Sequence, residues 1–242
     1  MAEQYRSRYP AGARTADASI DQGLRSYMLR IYNYMASGVL LTGIVSYALA
    51  SWVVNNPEVA QTLYSGPLAW VIMLSPLAMV LVMSFGLNKL SPFALQACFW
   101  TFATLMGLSL SSIFLVYTGE SIARTFFVAA AAFGGLSLWG YTTKKDLTGW
   151  GSFLIMGLFG IIIAAVVNIF LQSSMMDFVI SCVGVLVFAG LTAYDTQKIK
   201  EMYYEGDGEA VATKKSVMAA LSLYLDFINL FLMLLRLMGS RE

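Results

Sequence analysis

Seven long apolar runs dominate this sequence and restrict it to a fold that spans a membrane. Each run is close to the ~20 residues that a helix needs to cross the ~30 Å hydrocarbon layer of a bilayer. Runs such as FLIMGLFGIIIAAVVNIFL are unbroken, whereas the strands of a membrane barrel alternate polar and apolar residues. The predicted segments cover residues 31–54, 67–88, 94–117, 122–142, 150–171, 177–198 and 216–238. The sequence therefore predicts an all-α integral membrane protein, a seven-helix bundle.

The connections between these segments are short, which predicts one transmembrane domain over residues 31–238. A polar, arginine-rich tail of residues 1–30 precedes it, and residues 239–242 form a short C-terminal tail. The Pro, Gly and Ala content of the first tail predicts disorder as far as about Asp21, where helix is expected to begin. Pro76 lies inside the second segment and is expected to kink it.

The distribution of basic residues indicates how the bundle is oriented. Twelve of the fifteen lysines and arginines fall in the tail or in alternate connections, on one side of the membrane. Such a bias places that side in the cytoplasm, together with the N-terminus. Arg236 and Arg241 fall on the opposite side if the seventh segment crosses, and on the cytoplasmic side if it is re-entrant. The charge count therefore leaves both topologies open.

Only two of the fourteen acidic residues, Asp195 and Asp226, fall well within apolar segments. An aspartate at the centre of a spanning helix costs about 2.5–3.5 kcal/mol on insertion scales, so both are expected to be sheltered from lipid. If the two carboxyl groups meet, their mutual repulsion favours sharing one proton. We interpret the pair as a proton-sensitive gate that opens, or admits a divalent cation, when both groups are ionised.

Other polar residues in the apolar segments are candidates to support this pair. Ser222, Asn229, Met233 and Arg236 align with Asp226 at helical spacing, which predicts that this face points into the bundle. The remaining candidates are Thr192, in the segment of Asp195; Asn168, on a face of small residues with Gly157, Gly160 and Ala164; and Lys89, at the cytoplasmic end of the second segment. The small-residue face predicts close helix packing, with Asn168 in an interhelical hydrogen bond.

The two aspartates lie at different distances from the lysines that mark the cytoplasmic ends of their segments, so they can meet only if one helix extends beyond the other. Asp195 lies about 4–5 Å from Lys198 along its helix, whereas Asp226 lies about 16 Å from Lys215. We therefore expect Lys214 and Lys215 to lie on a cytoplasmic extension of the last helix. In the alternative interpretation the aspartates do not meet, and Lys198 pairs with Asp195 while Arg236 or a hydroxyl satisfies Asp226.

Four stretches of the chain resemble the transmembrane Bax inhibitor motif family: TAYDTQKIK, LYLDFINLFL, GLSLSSIFLVYTGESIARTFFVAAAAFGG and YTTKKDLTGWGSFL. The resemblance implies a seven-helix fold with a central, hairpin-like seventh helix that is short or re-entrant. It also implies a pH-dependent calcium leak controlled by two aspartates, which match Asp195 and Asp226, with calcium bound there transiently as the permeating ion. It further implies a bacterial cytoplasmic (inner) membrane location.

The second segment departs from the pattern of some bacterial members, which carry an arginine there that locks the closed state against an aspartate. This segment has no arginine, and Lys89 is the only basic candidate. A lysine offers a point charge and lacks the bidentate fork of arginine. Closure is then expected to rest on the protonated pair itself.

Three other functional classes are alternatives to the leak. The first is a regulatory protein that binds and restrains a membrane-embedded protease, with the basic tail as the contact surface. The second is a proton-coupled cation exchanger, since carboxylate pairs serve exchangers too. The third, an enzyme, is not expected: the chain has no histidine, metal-site spacing or phosphate-binding loop. The expected partners are the lipid bilayer, calcium and protons, with no cofactor, and the net charge of +1 implies no nucleic acid.

Overall fold

A computed structural model describes residues 11–240, with side chains described from Gln22 onward except that of Pro57. Eight α-helices follow one another: α1 Ala11–Val54, α2 Pro57–Tyr64, α3 Pro67–Gly86, α4 Pro92–Leu110, α5 Gly119–Thr142, α6 Thr148–Leu171, α7 Ser174–Glu201 and α8 Glu209–Met238. A 3₁₀ turn at Ser111–Leu115 continues α4. No strand occurs in the described residues.

All of these helices except α2 are long and apolar enough to cross a membrane. The predicted all-α bundle with seven membrane-spanning helices is therefore confirmed. The main difference in boundaries is at α1, which begins at Ala11 and not near Asp21, although its candidate span begins at Gln22. The first ten residues of the predicted tail, and residues 241–242, lie outside the described residues.

The last helix, α8, occupies the centre of the bundle and is neither short nor re-entrant. It is a single helix of 30 residues, and 61% of its most apolar window is buried, against 11% to 39% for the other spans. It packs against α1, α4, α5 and α7. The expectation of a central helix is thus correct, and that of a short or re-entrant one is wrong, because α8 runs unbroken from one end of the bundle to the other.

The two ends of the bundle are fixed by contacts from α7 and α8. At what we call the N-terminal end, three lysines donate to carbonyls at the C-termini of three helices: Lys214 to Leu87 after α3 (3.0 Å), Lys200 to Tyr141 of α5 (2.8 Å) and Lys215 to Met202 after α7 (3.1 Å). Cations at these positions favourably meet the negative ends of the helix dipoles. At the opposite, C-terminal end, Ser240 bonds to Thr118 and Ser121 at the start of α5.

Glycines allow the helices to approach closely at specific crossings. A Cβ on Gly140 of α5 would collide with the backbone carbonyl of Ala193 in α7, and one on Gly107 of α4 would lie 2.8 Å from the Thr42 carbonyl of α1. On α6, Gly157 packs against α7, but Gly160 faces open space. The predicted small-residue face of α6 is therefore only partly a packing face.

Pro76 lies within α3, which continues on both sides of it. A proline removes the backbone donor that would reach the carbonyl four residues earlier. That carbonyl belongs to Ile72, and the Ser75 hydroxyl donates to it at 3.0 Å. The side chain next to the proline therefore replaces the lost backbone hydrogen bond.

Candidate functional site

The carboxyl groups of Asp195 on α7 and Asp226 on α8 lie within hydrogen-bonding reach of each other. A hydrogen bond between two carboxyl groups requires a proton on one of them, because an ionised carboxylate only accepts. The geometry therefore fits a pair that carries one shared proton. Two ionised carboxylates at this separation would repel each other.

The two aspartates can meet because α7 and α8 are antiparallel and α8 extends further at the N-terminal end of the bundle. Asp195 lies about 9 Å before the end of α7, whereas Asp226 lies about 26 Å after the start of α8, at 1.5 Å per residue. The two aspartates come level because the first turns of α8 extend beyond the end of α7. Lys214 and Lys215 lie on this helical extension.

The two aspartates differ in burial. Asp226 is 6% exposed, and its Oδ2 atom is buried with no donor in reach among the described residues. Asp195 is only partly buried and lies closer to the N-terminal end of the bundle. A buried carboxyl oxygen without a donor is costly to keep charged, so a single proton on this pair would be held better by the inner group.

Neither Lys198 nor Arg236, the alternative ion-pair partners of the two aspartates, forms an ion pair with them among the described residues. Lys198 is exposed, and its Nζ lies 5.9 Å from the centre of the Tyr194 ring. It acts on Asp195 through its charge and forms no ion pair with it among the described residues. Arg236 is 3.5 Å from Asp177, at the C-terminal end of the bundle, and so does not neutralise Asp226.

A chain of hydroxyl groups ties α1, α5 and α7 together one residue away from Asp195. The Thr196 hydroxyl donates to the Thr192 carbonyl at 2.7 Å and lies 2.9 Å from Ser137 Oγ, which is 2.6 Å from the Tyr32 hydroxyl. Since each hydroxyl has one proton, the direction is fixed: Tyr32 donates to Ser137, and Ser137 donates to Thr196. The proton of each hydroxyl is thus used within the chain.

A second hydroxyl contact fixes α8 two residues before Asp226. Thr42 of α1 donates to the Ala103 carbonyl of α4 at 2.8 Å, so the Tyr224 hydroxyl, 2.7 Å away, donates to Thr42. Tyr224 is completely buried. None of the five residues in these contacts was predicted from the sequence: Tyr32, Ser137, Thr196, Thr42 and Tyr224. The only signal in the sequence is that Thr196 and Tyr224 lie within two residues of an aspartate.

The connection between α5 and α6 is clamped onto α7 close to Asp195. Gln197 accepts from the Leu147 amide and donates to the Lys145 carbonyl, both at 2.8 Å. Asp146, in the same connection, is fully exposed, and hydrogen bonds from Thr148 hold the pKa of its carboxyl below the usual value. This surface acid is therefore ionised at neutral pH and stands apart from the buried pair.

The residues expected to support the pair are engaged mainly with their own helices. Thr192 is fully buried and donates to the Phe188 carbonyl, and the Asn229 amide donates to the Leu225 carbonyl, each at 2.8 Å. Ser222 is partly buried on the same helix as Asp226. None of the three is hydrogen-bonded to either aspartate in the described part of the chain.

The other two candidates lie away from the pair. Asn168 accepts from the Ser173 amide at 3.0 Å, at the connection between α6 and α7, and within the described part of the chain it forms no hydrogen bond across the α6 packing face. Lys89 is exposed in the connection between α3 and α4, and no ion pair joins it to an aspartate among the described residues. Neither residue contributes to the geometry of the pair.

As a cation site, the pair would offer two carboxyl groups. Within the part of the chain that the structure describes, no group of three or more His, Cys, Asp or Glu side chains could hold a metal ion. The acidic connection of residues 202–208 is not a preformed site either, since Asp207 is paired with Lys215. Calcium takes six to eight oxygen ligands, so two carboxylates fit weak, transient contact with a passing ion.

Polar pockets lie at both ends of the bundle, with the apolar core between them. A pocket of about 690 Å³ at the N-terminal end lies between α1, α4 and α8, and its lining includes Arg30, Asn33 and Glu209. A pocket of about 450 Å³ at the C-terminal end is lined in part by Asn168, Asp177 and Arg236. The layer between them includes fully buried aromatic and aliphatic side chains, such as Phe99, Phe102, Leu223 and Tyr224. The bundle therefore has a polar pocket at each end and a closely packed apolar layer between them.

Comparison with known proteins relates most of this chain to one protein family and to several bacterial relatives. The model of the family described as inhibitor of apoptosis-promoting Bax1 matches residues 24–242, which include both aspartate-bearing helices. A protein of Caulobacter vibrioides is 48% identical over 95% of this chain and 94% of its own length, and one of Rickettsia prowazekii is 47% identical over 93% of each. The inner membrane protein YbhL of Escherichia coli is 45% identical over 91% of this chain and 94% of its own.

Proposed function

Because this chain belongs to the Bax inhibitor family of membrane proteins, we propose that it is a pH-sensitive calcium leak channel gated by Asp195 and Asp226. The observation that carries the proposal is the contact between the two carboxyl groups at the α7–α8 interface. The proposed activity is the passage of an ion, with no enzymatic step and no resident cofactor.

In the proposed mechanism the shared proton holds α7 against α8. When pH rises and the proton leaves, two like charges remain at the interface. At an effective dielectric of about 20, charges about 4 Å apart repel by about 4 kcal/mol, which shifts a closed–open equilibrium by more than about 100-fold. The helices separate, and the two carboxylates offer oxygen ligands to a calcium ion.

The closed state does not need a basic residue on α3 in this proposal. Lys89 is exposed outside α3, and α3 contains no arginine. The proton between the aspartates takes the place that a positively charged side chain would occupy. Protonation then both closes the channel and neutralises the site, so the leak is expected to rise with pH.

The membrane and the orientation are also part of the proposal. The similarity to an inner membrane protein of Escherichia coli supports a bacterial cytoplasmic membrane. The N-terminal end of the bundle carries Lys200, Lys214 and Lys215, and the excess of basic residues supports a cytoplasmic N-terminus. Asp195, the more exposed aspartate, then faces cytoplasmic protons.

The test is calcium entry into liposomes that contain the purified full-length chain and a calcium dye, measured from about pH 6 to pH 8. Flux through the wild type is expected to rise about tenfold or more over this range, on the equilibrium shift estimated above. Asp226→Asn and Asp195→Asn remove the second charge, and an amide can donate to the remaining carboxylate, so both variants should stay closed at every pH.

Asp177→Asn is the matched control, because it removes a spanning-helix aspartate that is paired with Arg236 and lies away from the gate. It should retain the pH dependence of the wild type. Flux that is unchanged in all three variants would remove the basis of the proposal.

The same liposomes separate the leak from the exchanger. An imposed proton gradient should leave the direction of calcium movement through a leak unchanged, whereas it should drive calcium uphill through an exchanger. If the aspartate variants behave like wild type and deletion of residues 1–25 instead alters proteolysis in cells, the regulatory protein that restrains a membrane protease is the better account.

A further inference from the structure

An apolar cleft of about 480 Å³ opens on the membrane-facing side of the bundle, between α1 and α5. Its floor is α8, at Phe227, Ile228 and Phe231. Among the described residues, no charged side chain lines it. The cleft is separate from the polar pockets at the two ends of the bundle and does not take part in the proposed ion gating.

The mouth of the cleft faces the interior of the bilayer. Leu40, Tyr47 and Phe127 line it and are 66%, 64% and 72% exposed. All three belong to membrane-spanning helices. Any occupant therefore enters sideways from the hydrocarbon layer, where acyl chains are the surrounding solvent.

The dimensions and the direction of the cleft fit one chain of a lipid. Its lining runs from Val39 to Tyr47, about 12 Å along α1 at 1.5 Å per residue. One leaflet contributes about half of the ~30 Å hydrocarbon layer, so the cleft is nearly as long as a single leaflet is deep. Gly119, the first residue of α5, marks the C-terminal end of the cleft, and Phe227 lies near the middle of the bundle.

Small residues keep the cleft open. Gly43 and Gly119 line it, and a Cβ built on either would meet nothing within 4 Å. Ser46 also lines it, is 2% exposed, and its hydroxyl has no hydrogen-bond partner among the described residues. A phospholipid offers ester oxygens that can accept from such a donor, in addition to its apolar chain.

We propose that this cleft binds an acyl chain of a phospholipid from the leaflet at the C-terminal end of the bundle, in contact with α8. The chain would lie against Phe227 and Phe231, and Phe227 directly follows Asp226. The proposal does not rest on the ion leak, because it concerns occupancy of a cleft that the gating mechanism does not use.

The test uses the full-length protein in phosphatidylcholine vesicles that contain a small fraction of phosphatidylcholine with a photoactivatable diazirine on its acyl chain. After illumination and digestion, mass spectrometry locates the labelled residues. Lipid-facing positions on α3 and α6 are labelled in any case, so the informative positions are on the central helix α8. Phe227 and Phe231 should be labelled well above Leu221 and Leu223, which are buried in the same helix away from the cleft.

Two variants fill the cleft from opposite walls, Gly43→Leu on α1 and Ala123→Leu on α5. Each should reduce labelling of Phe227 and Phe231 to the level of Leu221 and Leu223. Gly160→Leu is the matched control, because Gly160 faces open space on α6 outside the cleft, and it should leave the α8 labelling unchanged.

Unfolding temperatures of the variants are measured in parallel, so that a folding defect is recognised, and the second filling variant keeps the test valid if one of them is unstable. The proposal is overturned if Phe227 and Phe231 in the wild type are labelled no more than Leu221 and Leu223. It is also overturned if both folded filling variants are labelled like the wild type. Neither outcome depends on whether the protein conducts calcium.

Discussion

At the scale of single residues, the described hydroxyl groups near the two aspartates donate their protons elsewhere and so give the aspartates no hydrogen bonds. Thr196 donates to a backbone carbonyl, and Ser137 and Tyr32 donate along the chain that leads to it. The hydroxyl protons of Thr42 and Tyr224 are likewise donated, to the Ala103 carbonyl and to Thr42 respectively. The buried Oδ2 atom of Asp226 therefore has no neighbouring hydroxyl to satisfy it among the described residues, and the Asp226 carboxyl interacts with that of Asp195.

Removal of the Tyr224 hydroxyl should destabilise the protein by a measurable amount. Tyr224→Phe leaves the Thr42 oxygen without its donor in a fully buried position, at a cost of about 1 kcal/mol. For a chain of this size that cost lowers the unfolding temperature by about 2–4 °C. Thermal unfolding of the purified protein in detergent measures the difference.

Tyr47→Phe is the control for this variant, because Tyr47 is 64% exposed and has no hydroxyl partner among the described residues. It should unfold at the wild-type temperature. An equal effect of the two substitutions would mean that the hydrogen bond to Thr42 adds nothing to stability.

At the scale of the helices, close approach of α5 and α7 positions the turn that carries Asp195. Gly140 lies against the backbone of Ala193, two residues before the aspartate. Gly140→Ala should therefore push the helices apart and lower stability by about 1–3 kcal/mol, as overpacking does elsewhere. Unfolding in detergent tests this, with a loss expected in the temperature of the transition.

Gly135→Ala provides the comparison on the same helix, since a Cβ there meets nothing within 4 Å. We expect no loss of stability from it. If Gly140→Ala is tolerated as well as Gly135→Ala, the contact between α5 and α7 is not a tight one.

The sequence predicted the helices well, because length and hydropathy alone define a span. All seven spans were located, and the central position of α8 followed from the family resemblance. The short helix α2 was missed, because its eight residues include polar ones and form no apolar run. The two hydroxyl contacts were not predictable, since they join residues 59 to 182 positions apart in the chain.

At the scale of the whole molecule, an ion pair explains why the charge count left the last helix ambiguous. A crossing by the last helix puts Arg236 on the side opposite to most basic residues, whereas a re-entrant helix would return it to the cytoplasmic side. In the structure Arg236 lies beside Asp177, the acidic residue in the first turn of α7, so its charge is balanced where it stands. A count of basic residues alone does not register such a partner.

A full crossing by α8 places the two termini on opposite sides of the membrane. In a background without Cys98 and Cys182, a membrane-impermeant thiol reagent added outside intact cells should label Ser240→Cys. Asn88→Cys, in the exposed connection between α3 and α4, should react only after the membrane is permeabilised. Labelling of both positions from the same side would contradict the continuous α8.

The central claim is that one proton shared by Asp195 and Asp226 closes the channel. Infrared difference spectroscopy of the reconstituted protein detects the carbonyl stretch of a protonated carboxyl group and follows it as pH is raised. We predict that a band absent from Asp226→Asn disappears over the same pH interval in which wild-type calcium flux rises. A wild-type channel that is closed with no such protonated carboxyl group, or that opens while the band persists, would contradict the account.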